Sequence, residues 1–130
     1  MADLLHKELS YKIVGILFKV HGKLGGGYQE KYYQKAIAFE LKNSSINFQE
    51  QVLVPLKYQD SAIGRYFMDF VIEDKIVLEI KTLPRFYSRD IKQVLSYLKV
   101  SNLSLGILAS FSRNEVTFKR ILKGIKISEN

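Results

Sequence analysis

The chain is predicted to fold as an α/β protein, with a sheet flanked by helices. Helical periodicity opens it, three strand-like segments follow in succession, and a further helical pattern leads into a buried apolar run. That order, a helix, three strands, a helix and a strand, puts the middle strands at the centre of the sheet.

Leu5, Leu9, Ile13, Ile16, Leu17 and Val20 recur at helical spacing and predict an opening helix that ends near Gly22. Leu24-Gly25-Gly26-Gly27 then breaks the chain. A second helix is predicted from about Tyr28 to Lys42, with Tyr33, Ile37 and Leu41 as its apolar stripe and Asn43-Ser44-Ser45 as its end. Three strands form a meander: one within Phe48 to Tyr58, one from Arg65 to Ile72 and one from Ile76 to Thr82, with turns around Asp60-Ser61 and Asp74. Pro84 closes the third. Ser88 is the predicted cap of a helix that buries Ile91, Val94, Leu95 and Leu98, and Leu103 to Ala109 reads as a buried strand. Val116 and Phe118 suggest one more short strand, followed by a basic tail with Lys119, Arg120, Lys123 and Lys126.

The third strand carries the chemistry. Residues two apart on a strand share a face, so Val77, Glu79 and Lys81 point one way and Ile76, Leu78 and Ile80 the other. If Glu73-Asp74-Lys75 is a three-residue loop, the partners across the hairpin are Ile72 with Ile76, Val71 with Val77, and Asp69 with Glu79. Opposed like charges destabilise a sheet unless a cation or hydrogen bonds compensate. A divalent ion would remove the conflict; so would Lys81 in a surface ion-pair cluster, and the hairpin alone leaves both open. The acid-x-Lys triplet is weak evidence by itself, since roughly one or two should arise by chance among thirteen acids. Of the four present, Glu40-Leu41-Lys42 and Asp90-Ile91-Lys92 lie in helical patterns and Glu73-Asp74-Lys75 in a turn, so only Glu79-Ile80-Lys81 sits in a strand.

Composition narrows the classes. At 130 residues and 47% hydrophobic content, one domain spanning residues 1–130 is expected. The absence of cysteine excludes disulfides, thiolate zinc sites and cysteine-ligated clusters, so a metal would be held through oxygen or histidine. His6 and His21 have no companions that complete a metal or nucleophile constellation, and neither is assigned a role. Gly25-Gly26-Gly27 lacks the Lys-Ser or Lys-Thr of a phosphate-binding loop and instead sets the approach of the second helix. The apolar stretch from Ile13 to Phe18 is too short to span a bilayer, so no membrane partner and a cytoplasmic location are expected. A net charge of +7 favours a polyanionic partner.

Gly27-Tyr28-Gln29-Glu30-Lys31-Tyr32-Tyr33, Gly64-Arg65-Tyr66-Phe67-Met68-Asp69-Phe70, Glu79-Ile80-Lys81 and Gln93-Val94-Leu95-Ser96-Tyr97 follow one another in order. Together they resemble the GxxExxY group of the PD-(D/E)xK nuclease superfamily, in its RecB-like branch, over about Gly27 to Ala109. Met68 stands where the family usually has proline. The resemblance implies a restriction-endonuclease-like αβββαβ core with a central mixed sheet flanked by helices. It further implies that Glu30, Asp69 and Glu79, with the backbone carbonyl of Ile80, surround a magnesium ion, for which manganese would substitute. Lys81 would orient the attacking water or the developing anion. Gln93 and Tyr97, one helical turn apart, would support the site or contact nucleic acid, with Tyr33 and Arg65 in the same supporting or binding class. Lys31, Lys35, Arg85, Arg89 and Lys92 are further candidates for backbone phosphates, against the plainer reading that each lies on a solvated face.

The expected function is therefore metal-dependent hydrolysis of phosphodiester bonds in nucleic acid, DNA more than RNA by analogy with the superfamily. A homodimer is compatible with so small a chain, although no diagnostic motif for one is present. Two other classes remain: a noncatalytic nucleic-acid-binding or regulatory module on a nuclease-like fold, and a protein-interaction domain whose charge is incidental.

Overall fold

The computed structural model describes residues 5–124. Its elements run α1 (Lys7–Leu24), α2 (Glu30–Asn43), β1 (Phe48–Tyr58), β2 (Ser61–Ile72), β3 (Ile76–Lys81), α3 (Ser88–Ser101), β4 (Leu105–Phe111) and β5 (Val116–Leu122). The five strands form one mixed sheet in the order β1-β2-β3-β4-β5, antiparallel except for the parallel pair β3–β4. A parallel neighbour requires a crossover, which α3 supplies. The expected αβββαβ core is present, extended by α1 and β5. No helix among the described residues is long and apolar enough to cross a membrane.

The two faces of β3 separate as its alternation dictates. Ile76, Leu78 and Ile80 pack with Ile13, Leu17, Tyr33, Ile37 and Leu41 of α1 and α2. Val77, on the other face, packs with Val94, Tyr97 and Leu98 of α3. Each fully buried aliphatic side chain contributes about 1.5–3 kcal/mol, so both layers hold the sheet. Every residue of β4 is buried, as a strand covered by helices on both faces requires.

Several boundaries differ from the sequence expectation. Helix α1 runs to Leu24 because the reversal comes only at Gly25, whose φ is 78° and whose N–H donates to His21 O at 2.8 Å. Gly26 allows the loop to lie against the β4–β5 turn: a Cβ there would meet the Arg113 backbone at 2.3 Å. Strand β2 begins at Ser61, since Gln59 and Asp60 adopt φ of 48° and 67° and close a tight turn between Tyr58 and Ser61. Ser88 is not the cap of α3. Tyr87 holds that position, with its N–H donating to Asp90 Oδ2 at 2.9 Å while Asp90 N–H donates to Tyr87 O at 3.0 Å. Strand β4 starts at Leu105, and Lys119 and Arg120 belong to β5 instead of a tail; Lys126 lies outside the described residues.

Gly106 is where α3 meets the sheet most closely, because a Cβ there would stand 2.5 Å from Val94 Cγ1. Gly106→Ala is expected to cost about 1–3 kcal/mol by overpacking. The midpoint of chemical denaturation measures it, and an unchanged midpoint would mean that Val94 yields freely.

Candidate active site

The β2–β3 hairpin has the register its loop length implies, with Ile72 opposite Ile76 and Val71 opposite Val77. Backbone pairing stops after Phe70 and Leu78, just before the two acids meet. There the carboxylates replace the ladder. Asp69 N–H donates to Glu79 Oε1 at 3.2 Å, and Ile80 N–H donates to Asp69 Oδ2 at 2.8 Å. Each acid thus fixes the other's strand.

The opposite edge of Asp69 is also irregular. Gln51, which faces it from β1, has φ of 51°, and the β1–β2 pairing skips this position. Met68 and Val71 pack into the same core layer although they are three residues apart. Unbroken alternation cannot do that, so β2 turns its faces at Asp69, a distortion of the kind that re-aims side chains beside active sites. The Gln51 side chain hydrogen-bonds Asp69.

Lys81 ends β3. Its Nζ donates to Gln93 Oε1 at 3.1 Å and lies 3.9 Å from Glu79 Oε2. Gln93 comes from α3, so the helix sets the lysine's position. Just past Lys81, Ser110 Oγ donates to Leu83 O at 2.6 Å and accepts from Leu83 N–H at 2.8 Å, which fixes the chain as it leaves the strand.

Glu30 is the first residue of α2 and half-buried. Its carboxylate accepts the Thr82 backbone N–H, and both Lys81 and Asp69 act on its charge. Tyr33, one turn on, is fully buried: its hydroxyl donates to Gly25 O at 2.7 Å and its ring stacks on Phe111 at 4.4 Å. Burial removes Tyr33 from any direct contact with nucleic acid; it pins the glycine loop that delivers Glu30. Tyr97 is also buried, one turn beyond Gln93, with its ring 6.5 Å from that of Tyr66.

The electrostatics are those of crowded acids. Burial raises the Glu79 carboxyl to about 8, the Asp69 charge adds to that rise, and Lys81 opposes it. Asp69 is raised chiefly by burial, against hydrogen bonds from Ile80, Glu79 and Gln51. Glu30 is raised by burial and by Asp69, with Lys81 lowering it. The Tyr97 hydroxyl is pushed up by burial and by the charges of Glu79 and Asp69, so it stays protonated. Both carboxyls are thus biased toward holding a proton, Glu79 above all.

Two depressions border this group. One is lined by Gln29, Glu30, Gln34, Gln51, Asp69 and Thr82. The other, of about 400 Å³, is lined by Tyr66, Lys81, Arg89, Lys92, Gln93 and Tyr97. Asp69, Glu79, Lys81 and Gln93 are thus in direct contact, with Glu30 and Tyr97 within electrostatic reach. Arg65 stands apart on the exposed half of β2, over the Phe67 ring at 5.7 Å. Among the described residues, no ion pair joins Lys35, Arg85 or Arg89 to these acids. His21 Nε2 lies 3.0 Å from Ser112 O, a structural contact.

Oxygen donors with raised carboxyl pKa values are a chemical fit for a hard divalent cation, which would take the place of a proton there. Among the described residues, however, no three His, Cys, Asp or Glu side chains are gathered closely enough to hold a metal ion. The pair Asp69–Glu79 is assembled; Glu30 is not closed onto it.

Gln51 and Ser110 had no part in the sequence reading, and Asp90 entered it only within an acid-x-Lys triplet. Gln51 carried no signal, because a left-handed residue in mid-strand has no signature outside glycine or asparagine. Ser110 was detectable as a polar residue within the apolar run Leu105–Phe111, where it must find partners. Asp90, buried at the start of α3, stood three residues after Tyr87, at capping-box spacing.

Comparison with known structures supports this fold. The protein described as SSO0001 superposes with a TM-score of 0.58 at 19% identity, over 75% of this chain and 52% of that one. An alkaline exonuclease from Laribacter hongkongensis superposes with a TM-score of 0.51 at 16% identity, over 66% of this chain and 52% of that one. The chain spans about half the length of each. Comparison with curated proteins gave no match. The model of the PD-(D/E)XK nuclease superfamily matches residues 7–121, nearly the whole sheet-and-helix core. With that match over the same elements that assemble the acids, the chain belongs to the PD-(D/E)XK nuclease superfamily.

Proposed function

We propose that this chain is a metal-dependent nuclease of the GxxExxY group in the RecB-like branch, hydrolysing phosphodiester bonds in nucleic acid, DNA more than RNA. The observation that carries the reading is the contact set Asp69–Glu79–Lys81–Gln93 at the end of β3. Opposed acids at a broken ladder beside an anchored lysine serve no packing purpose, and they suit a reaction on a phosphate.

Asp69 and Glu79 would hold the cation, Glu30 would complete the set by closing toward them, and the Ile80 carbonyl is a further donor. Magnesium is the expected ion, with manganese as substitute. When bound, it supplies Lewis-acid polarisation of the phosphate and a more acidic water. The chain's own residues do the rest. With the cation bound, Asp69 and Glu79 would both carry charge, the proton that burial favours on Glu79 having gone to solvent. Gln93 keeps Lys81 directed at the carboxylates, where its ammonium steadies the water and the anionic phosphate as the water oxygen adds to phosphorus and the bond to the leaving oxygen breaks. Gln51 keeps Asp69 in place. Tyr97, protonated, closes the α3 side.

The test is cleavage of single-stranded, duplex, flap and junction DNA, and of RNA, with magnesium or manganese. Asp69→Ala is the comparison. Cleavage of DNA that needs the metal and disappears in Asp69→Ala is the expected result. The open position of Glu30 favours one other reading, a noncatalytic nucleic-acid-binding module. Salt-sensitive binding without cleavage, unchanged in Asp69→Ala, would establish that reading instead.

A further inference from the structure

Beyond Met68, β2 has no partner except β1, because its pairing with β3 covers only Phe70 to Ile72. Val52–Tyr58 and Ser61–Met68 therefore form a two-stranded ribbon, one face of which packs on α3 at its root through Val54 and Met68. Leu53 and Phe67 are direct partners and share a face, on which Arg65 follows by alternation, while Ile63 falls at the register shift opposite Leu56 and Lys57. Leu53, Ile63 and Phe67 are 52%, 62% and 44% exposed. A two-stranded ribbon is marginal in water, and one that keeps large apolar groups wet is built to bind.

The ribbon's position and charge indicate what it binds. Phe67 stands two residues before Asp69, and its partner Leu53 two residues after Gln51, so the pair lies next along the ribbon from the acid-lined depression that Asp69 and Gln51 border. The Arg65 guanidinium lies over the Phe67 ring at 5.7 Å. The same pairing of ring and cation recurs around the acids: Lys31 over Tyr32 at 5.2 Å beside Glu30, and Arg85 and Arg89 over Tyr87 at 5.0 and 4.9 Å between Lys81 and Gln93. Exposed rings that carry cations suit a ligand with flat π faces and a negative backbone.

We propose that the Leu53–Phe67 face of the ribbon is a stacking site for unpaired bases of a nucleic-acid strand, held next to the phosphate to be cleaved. This rests on the nuclease reading above and names its substrate class, a strand single-stranded at the site. In a duplex the base faces cover one another, and most hydrogen bonds go to phosphates and sugars, which apolar groups cannot serve. A second copy of this chain is a poorer occupant, because two such faces in symmetry would oppose their Arg65 guanidinium groups.

The chain has no tryptophan, so Phe67→Trp creates a single fluorescent reporter on the ribbon. The titrants, in metal-free buffer, are a single-stranded deoxyoligonucleotide, a duplex of the same length and an abasic strand. The expected result is quenching by the single strand and not by the abasic strand. Phe67→Ala should weaken single-strand binding about tenfold or more, with Phe118→Ala, on β5, unchanged and Phe67→Tyr restoring affinity. Emission unmoved by the single strand, or moved equally by all three, would overturn the proposal. So would concentration-dependent dimerisation abolished by Phe67→Ala with no quenching. The measurement needs no turnover: stacking without cleavage would remove the nuclease reading and leave the ribbon's ligand, whereas cleavage without stacking would do the reverse.

Discussion

Glu79→Gln is expected to stabilise the metal-free protein above pH 8 while lowering cleavage by about 10²–10³-fold, the loss typical of removing one group that stabilises developing charge. Glutamine keeps the side-chain oxygen that accepts Asp69 N–H, so the hairpin loses no backbone anchor. What it removes is the titration. The unfolded chain releases the Glu79 proton near 4.5, whereas the folded chain keeps it to about 8. Between those values the folded state binds more protons than the unfolded state, so wild-type stability falls as pH rises through the window. Above about 8 both states are ionised and the loss is complete; below 4.5 both are neutral. The variant does not follow that fall. Its advantage in melting temperature should be near zero below 4.5, grow between 4.5 and about 8, and level off at about 5 °C or more. Thermal melts across pH measure it. Magnesium should raise the wild-type midpoint at neutral pH and raise that of the variant far less, because binding to the folded state is linked to the lost carboxylate. Equal midpoints for the two proteins at every pH would show that the Asp69–Glu79 contact is not strained.

Lys81→Ala is expected to reduce the single-turnover rate by about 10²–10³-fold, with a smaller change in magnesium affinity. The ammonium acts on the reacting oxygens, whereas the carboxylates supply the ligands. It also lowers the pKa of Glu30, Asp69 and Glu79. Without Lys81 all three rise further, so the pH at which magnesium stabilises the protein should move upward. Gln93→Ala keeps the charge and loses only its anchor at 3.1 Å, so it should cost about tenfold in rate and leave that pH dependence near wild type. A Lys81→Ala enzyme of normal rate, or one with lost activity and an unmoved pH dependence, would place the lysine outside the site.

The sequence made the hairpin legible because loop length and alternation act locally. Once Glu73, Asp74 and Lys75 form the turn, the meeting of Asp69 and Glu79 follows from counting. Separation of the two cores was legible for the same reason, since Ile76, Leu78 and Ile80 cannot share a face with Val77. What escaped depends on tertiary context. The left-handed Gln51 faces Asp69 where the β1–β2 pairing skips, and its own sequence gives no hint of it. Tyr33 bears on the site by fixing a loop eight residues back, a contact that helical spacing does not encode. The early start of β2 was missed because residues 61 to 67 are exposed and lack the burial alternation that marks a strand.

The tight turn at Gln59 and Asp60 makes the ribbon's reach adjustable without disturbing the body of the protein. Gln59 and Asp60 at the tip are exposed, so added length is tolerated there. Alternation limits how it can be added: one extra residue on each strand would carry the Leu53–Phe67 pattern onto the opposite side farther out, whereas two preserve it. Each such increment lengthens the arm by about 7 Å. The fold therefore contains a quantised ruler, on which relatives of this protein could differ in span while keeping the same acids at its base.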